Sequence, residues 1–379
     1  MSKLSRIYRG ETNIDFIGKR KIWFALSTVI VLGCIVLLGT KNLNYGIEFE
    51  GGVSTQAPIP DDGPLGDADS PVVVEEVRSA LGDLGASDAQ IQVAESDGER
   101  LVIVQTKEAN APEEQERVVA TVAKTVGAEI SETNSERIGS KWGEEITDKA
   151  IRALVIFLVV IFLFILWRFE WKMAVSAVIS LIHDLIITAG VYSLVGFEVT
   201  PSTVVAILTI LGYSLYDTVV VFDKVEEDTT LFAATGRMTY QDAANLAVNQ
   251  VFMRSLNTSL ATLLPVAALL FVGTGLLGAG TMKDLALALF VGLLCGAYSS
   301  VFIAVPLLSI WKEREPRFRN VRERVLKDAK KAAAAISAPE PIVAGEPAAV
   351  GAPTKPASGS RPAARPRAGS KKAKRRKRR

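Results

Sequence analysis

The 379-residue chain contains one histidine and two cysteines. A lone histidine, His183, excludes a multi-histidine metal site. Cys34 and Cys295 both fall in apolar runs, so they read as small buried hydrophobes and not as a disulfide or a metal pair. No metal, organic cofactor or enzymatic reaction is expected. Acidic residues are missing from residues 361–379, which carry eleven Lys or Arg. The formal charge of +2 therefore splits into +11 on this tail and −9 on residues 1–360. Such a tail is expected to be disordered and to bind anionic lipid or ribosomal RNA, between which composition does not choose.

What the chain has in abundance is apolar sequence, 49% of residues with a mean hydropathy of +0.27. The apolar residues cluster in six runs, at 22–39, 150–167, 173–195, 199–222, 256–272 and 285–310. Each is about long enough to cross the hydrocarbon core. The first follows Lys19, Arg20 and Lys21 and ends without a small-residue cleavage site, so it reads as a retained span and not a signal peptide. Trp167, Trp171 and Trp311 stand at run boundaries, as interfacial aromatics do. The expected fold is an α-helical polytopic membrane protein.

Residues 40–146 form a polar domain with eight Lys or Arg against twenty-two Asp or Glu. Its pattern is a strand at 47–57, a helix at 71–84, a hairpin of 90–94 and 101–106, a helix at 112–126 and a strand at 129–138. The βαββαβ order predicts an α+β, ferredoxin-like domain. Lys and Arg concentrate in residues 1–21, the turn 168–172 and the tail 311–379. By the positive-inside rule these segments are cytoplasmic and the acidic domain is extracytoplasmic; counting six spans then puts the 223–254 loop, which is not basic, inside as well. The tail is expected to be disordered and basic at its end.

Charged residues inside spans cost about 2.5–3.5 kcal/mol on insertion scales and mark functional sites by default. Asp217 lies within the fourth span. Thr209, Tyr213 and Asp217 recur at i, i+4, i+8 and share one helix face. Arg254, Thr258 and Thr262 form the same kind of stripe where the antiparallel fifth span begins, at a depth comparable to Asp217. Ser176, Ser180, Asp184 and Thr188 form a third stripe. In the sixth span Ala288, Gly292, Gly296 and Ser300 suit close helix packing. Each polar position also has a structural reading: Asp217 bonded to a hydroxyl or an arginine, Arg254 as a snorkelling interfacial cation, Asp184 as a helix-to-helix bond. His183 reads as structural, because adjacent helix positions point in different directions.

Several stretches resemble the SecF family, membrane subunits of the bacterial protein-export machinery. They are Tyr45-Gly46-Ile47-Glu48-Phe49-Glu50-Gly51-Gly52, His183-Asp184-Leu185, Gly212-Tyr213-Ser214-Leu215, Asp217-Thr218-Val219-Val220-Val221-Phe222-Asp223-Lys224, and Arg254 with its Ser and Thr neighbours. The resemblance covers residues 10–312. The chain departs at Glu48 and Glu50, where the family has Asp and Thr, and at Lys224-Val225-Glu226-Glu227-Asp228, where it has Arg-x-x-Glu-Asn.

The resemblance implies half of a resistance-nodulation-division (RND) type transporter in the bacterial cytoplasmic membrane, with both termini cytoplasmic. It implies pairing with SecD, action beside the SecYEG channel on unfolded preproteins, and use of the proton motive force, with H⁺ as coupling ion. The candidate proton relay is then Asp217 with Arg254 and Asp184. The polar pathway is Tyr213, Thr209, Thr258, Thr262 and Ser180. Two alternatives stand beside it: a non-transporting scaffold of the translocon, and half of an RND-type efflux transporter for a small hydrophobic solute.

Overall fold

The computed structural model describes residues 14–86, 89–96, 99–107, 112–233, 236, 238–273 and 282–337. The basic tail 361–379, most of the connection 273–283, residues 1–13 and the Asp97-Gly98 turn lie outside them. The chain divides into two units, residues 1–331 and 332–379. The described part of the second is the end of a helix, and the spans, the polar domain and the candidate site all belong to the first.

Among the described residues, six helices are long and apolar enough to cross a membrane. They are α1 (Arg20–Lys41), α5 (Ser140–Arg168), α6 (Trp171–Val195), α7 (Pro201–Asp228), α8 (Tyr240–Ala268) and α9 (Lys283–Ser299), which continues through a π turn (Ser300–Ala304) into α10 (Val305–Glu313). Pro306 has no N–H to return to residue 302, and the turn before it widens accordingly. Helix α7 begins in a capping box, the Thr203 N–H donating to the Thr200 hydroxyl and the Thr200 N–H to the Thr203 hydroxyl, with Pro201 at N1.

These helices run past the apolar runs that announce them. Helix α7 and its π turn reach residue 233 and α8 starts at Tyr240, so most of the expected 223–254 loop is helical. Hydropathy marks where a helix leaves the apolar layer, not where its backbone hydrogen bonding ends. The tail after 311 begins with α11 (Pro316–Ser337), and its basic end at 361–379, where disorder is expected, lies outside the described residues.

Between α1 and α5 lies the polar domain. It contains β1 (Asn44–Tyr45), α2 (Ile47–Glu50), β2 (Gly52–Pro58), α3 (Ser70–Gly82), β3 (Gln90–Ser96), β4 (Glu99–Thr106), α4 (Pro112–Val126) and β5 (Asn134–Ile138). The sheet order is β3-β4-β2-β5, antiparallel throughout. Helices α3 and α4 bury Val73, Val77, Leu81, Val118, Val122 and Val126 against Val93, Val102 and Val104 of the sheet. The strand expected from Ile47 starts only at Gly52. Ile47–Glu50 instead closes a helical turn, ended by Gly51 at φ 89°, a value that favours glycine.

The polar domain meets the helical bundle through strand pairing. β1 pairs in parallel with β6 (Glu198–Val199), the connection between α6 and α7. At the other end of the bundle, Asn245 and Asn249 of α8 pin the segment before α1. Their carboxamides accept from the backbone N–H groups of Ile14, Phe16 and Ile17 and donate to the carbonyl of Ile14. Phe16 and Ile17 are thereby buried in the main core.

Candidate functional site: a polar centre among the helices

Helices α6 and α9 bury far more of their surface than α1 and α5, and their polar residues lie on those buried faces, opposite Ser214 and Asp217 of α7 and Ser255 of α8. The α6 stripe Ser176, Ser180, Asp184 and Thr188 is wholly interior. Asp184 is fully buried, and both its oxygens accept. Ser214 of α7 and Ser299 of α9 each donate to Oδ2 at 2.8 Å. His183 Nδ1 lies 3.1 Å from Oδ1. His183 and Asp184 therefore do meet although they are adjacent on one helix.

Asp217 is served by a second set. Ser255 of α8 lies 2.7 and 2.8 Å from its two oxygens, and Ser300 donates to Oδ2. Burying a carboxylate costs several kcal/mol unless its oxygens accept hydrogen bonds. In both cases hydroxyl donors from neighbouring helices satisfy it. Among the described residues neither aspartate has a Lys or Arg ion-pair partner.

The two acids are mechanically joined. Ser214 and Asp217 are one turn apart on α7, and Ser299 and Ser300 are consecutive at the start of the π turn. The α7–α9 crossing is close because the facing α9 residues are glycines. A Cβ at Gly296 would stand 2.9 Å from that of Ser214, and one at Gly292 would overlap Ile210. The network reaches α1 as well. His183 stacks on Tyr298 with ring centroids 6.2 Å apart, and the Tyr298 hydroxyl is 3.0 Å from Ser27 Oγ.

The other expected site residues divide. Thr262 donates to the Tyr213 hydroxyl at 3.2 Å, joining the fifth and fourth spans as their stripes suggest. Thr209 is exposed and returns its hydroxyl to its own helix at Val205. Thr258 does the same at Arg254. Ser180 is buried but bonds neither aspartate. Thr209, Tyr213 and Asp217 do not form one buried face, since the buried face of α7 is Ala206, Ile210, Ser214, Asp217, Val221 and Val225.

Arg254 forms no ion pair with Asp217, despite the expected closeness. It is exposed and lines a cleft of about 370 Å³ with Arg168, Asp223, Lys224 and Glu227. In this cleft Arg168 pairs with Asp223 at 2.7 Å. Arg254 and Ser255 are neighbours 100° apart on α8, and it is Ser255 that faces inward. Helical spacing does not single out Ser214, Ser255 or Ser299 as partners. The signal for Ser214 is its place in the Gly212-Tyr213-Ser214-Leu215 stretch, which does not name Asp184 as its partner.

A helical bundle with two hydroxyl-satisfied aspartates in its interior defines a polytopic membrane protein built around an intramembrane polar centre. The family described as Protein export membrane protein SecD/SecF, C-terminal, matches residues 118–314. The Protein translocase subunit SecF of Streptomyces coelicolor is 41% identical over 339 residues, covering 88% of this chain and 87% of that one. Its counterpart in Mycobacterium tuberculosis H37Rv is 42% identical over 333 residues, covering 86% and 73%. The crystal structure of SecDF from Thermus, described as a translocon-associated membrane protein, superposes with a TM-score of 0.62 at 31% identity. That match covers 80% of this chain and 39% of the Thermus chain, so this chain spans about two fifths of that longer protein. A SecDF structure in a super-membrane-facing form gives 0.57 at 30% identity, covering 84% and 40%. The chain belongs to the SecD/SecF family of protein-export membrane proteins.

Proposed function

We propose that this chain is the SecF half of a proton-driven pair that helps draw unfolded preproteins across the bacterial cytoplasmic membrane. Its partner is a SecD-type half, and the pair acts beside the SecYEG channel. Both termini are cytoplasmic, and the acidic domain is extracytoplasmic and ferredoxin-like. The sheet order β3-β4-β2-β5 with α3 and α4 on one face supports that last reading. The excess of Lys and Arg in the terminal segments supports the orientation.

The observation that carries the proposal is Asp217, buried between three helices and held, among the described residues, by the hydroxyls of Ser255 and Ser300. Uptake of a proton there removes a charge to which Ser255 and Ser300 point. The α8 and α9 contacts on Asp217 are thereby loosened, and the helices repack. One charge crossing the membrane is worth about 2.3 kcal/mol per 100 mV, enough to bias two states a few kcal/mol apart. Arg254 is the counter-charge that approaches Asp217 in the other state. Asp184 is the second relay position, tied to the first through Ser299-Ser300. The coupling ion is H⁺, and no bond-making chemistry is involved. The test is Asp217→Asn in vesicles with the partner and channel present: gradient-dependent export is lost while assembly with the partner is kept. Full gradient-dependent export by the variant refutes the proposal.

The hydrogen bonding of Asp217 by Ser255 and Ser300, and of Asp184 by Ser214, Ser299 and His183, favours one alternative, a scaffold in which they only hold helices together. Proton conductance of the wild-type pair separates the two readings, since a scaffold carries no current.

A further inference from the structure

Helix α11 is charged in a way that the polar centre does not use. Between Pro316 and Lys331 it carries seven Lys or Arg and two acidic residues. At 100° per residue, Phe318, Val321, Val325 and Leu326 fall on one side. Arg319, Arg324, Lys327 and Lys330 fall on the flanks and opposite face. The helix starts three residues after the last residue of the sixth span, at Glu313.

Its first two turns bend back onto the end of the bundle. Phe318 packs edge-on against Tyr240 of α8 with centroids 4.9 Å apart, and Arg322 pairs with Glu313 at 3.0 Å. Residues nine apart on one straight helix would be about 13.5 Å apart along the axis. The Arg322–Glu313 pair therefore requires a bend at Arg314-Glu315, which turns α11 across the bundle. Past Arg322 the bundle no longer covers it. Leu326 is 49% exposed, and Arg319, Arg324, Lys327 and Lys330 are exposed without an ion-pair partner among the described residues.

We propose that α11 is an interfacial helix that lies on anionic phospholipid at this end of the sixth span. The apolar side containing Val325 and Leu326 enters the headgroup boundary, and the flanking cations meet lipid phosphate. Charge complementarity and the short link to a membrane span identify the occupant. A nucleic acid would use the cations but would leave the apolar side in water. The inference rests on the six-span membrane reading and not on proton coupling or export.

The experiment uses the full chain with Cys34 and Cys295 replaced by alanine and Leu326→Cys carrying an environment-sensitive fluorophore. It is reconstituted into vesicles of phosphatidylcholine alone or mixed with phosphatidylglycerol. The expected result is quenching by lipid-borne quenchers in the mixed vesicles and a water-exposed probe in phosphatidylcholine. Each exposed cation favours the bound state by a factor of roughly five at low salt. Replacing Arg319, Arg324, Lys327 and Lys330 by glutamine should therefore return the probe to water, as should high salt. The same probe on a second position, Val325→Cys, guards against a local effect of the label. A probe that stays wet in both lipids overturns the proposal. So does equal embedding in both lipids with and without the four cations, or a probe shielded by added ribosomes and not by anionic vesicles.

Discussion

Asp184 and Asp217, on different helices, draw hydrogen bonds from one dipeptide: Ser299 donates to the first and Ser300 to the second. Neither acid can change its hydrogen bonding without a strain that the other feels through a single peptide unit. The α9 backbone at the π turn is thus the shortest mechanical link between the two buried charges.

That link predicts non-additivity. Ser299→Ala and Ser300→Ala each remove one donor, at about 0.5–1.5 kcal/mol for the bond and more if the carboxylate oxygen is left unserved. The double variant should differ from the sum of the singles by at least about 0.5 kcal/mol, because both contacts share a backbone. Denaturant or thermal unfolding of the four proteins in detergent measures this. Strict additivity would show the two acids to be independent.

Asp184 should be the more demanding position structurally. Asp184→Ala removes the acceptor of the Ser214 hydroxyl and the partner of the His183 ring, at about 1–3 kcal/mol per orphaned group, and leaves Ser299 only its long bond to the Gly296 carbonyl. Asp184→Asn keeps an acceptor oxygen and should cost less. Thermal unfolding of both variants checks the order, and equal losses would contradict it.

The α7–α9 crossing should not tolerate a methyl group at Gly296. Gly296→Ala brings a Cβ to 2.9 Å from that of Ser214, and overpacking of this kind costs about 1–3 kcal/mol. It also displaces Ser214 from Asp184. Adding Ser214→Gly should relieve the clash but not restore the lost hydrogen bond, so unfolding temperatures should recover only in part.

Stability should fall between mildly acidic and neutral pH through Glu198, in the connection between α6 and α7. Burial pushes its carboxyl up to about 7, opposed by Lys107 and reinforced by Asp284, Glu48 and Glu50. A raised folded value means that the folded state holds the proton more tightly. The stabilisation is complete below the ordinary value of 4.5 and is lost as pH rises to about 7. At 1.36 kcal/mol per unit the span is on the order of 3 kcal/mol. Glu198→Gln keeps the shape, cannot ionise, and should flatten the pH dependence of the unfolding temperature between pH 5 and 8. An unchanged slope in the variant would place the titration elsewhere.

Much of the architecture is legible in the chain alone, for reasons visible in individual residues. Continuous apolar runs have no stable home except a bilayer, so six spans follow from hydropathy. Pro112 and Gly127 bracket α4 where helix starts and stops are chemically marked, and that helix is found from Pro112 to Val126. Ile47 misleads because an apolar-polar alternation of four residues is compatible with a strand or a turn, and the Gly51-Gly52 pair decides it. The 223–254 segment misleads because polar helix outside the membrane has no hydropathic edge.

Residue order alone requires that Asp217 and Asp184 sit in apolar helices and need partners, because a lone charge there is too costly. It does not say which partners. Helical spacing puts Thr209, Tyr213 and Asp217 on one stripe and points to Arg254 as the partner, passing over its neighbour Ser255. The rotation of each helix about its own axis chooses among them. That rotation is set by the glycines of α9 against Ile210 and Ser214, contacts that exist only once the helices are packed. Packing in three dimensions turns Ser255 inward, leaves Arg254 in an exposed cleft, and gives two aspartates far apart in the chain one pair of consecutive serines.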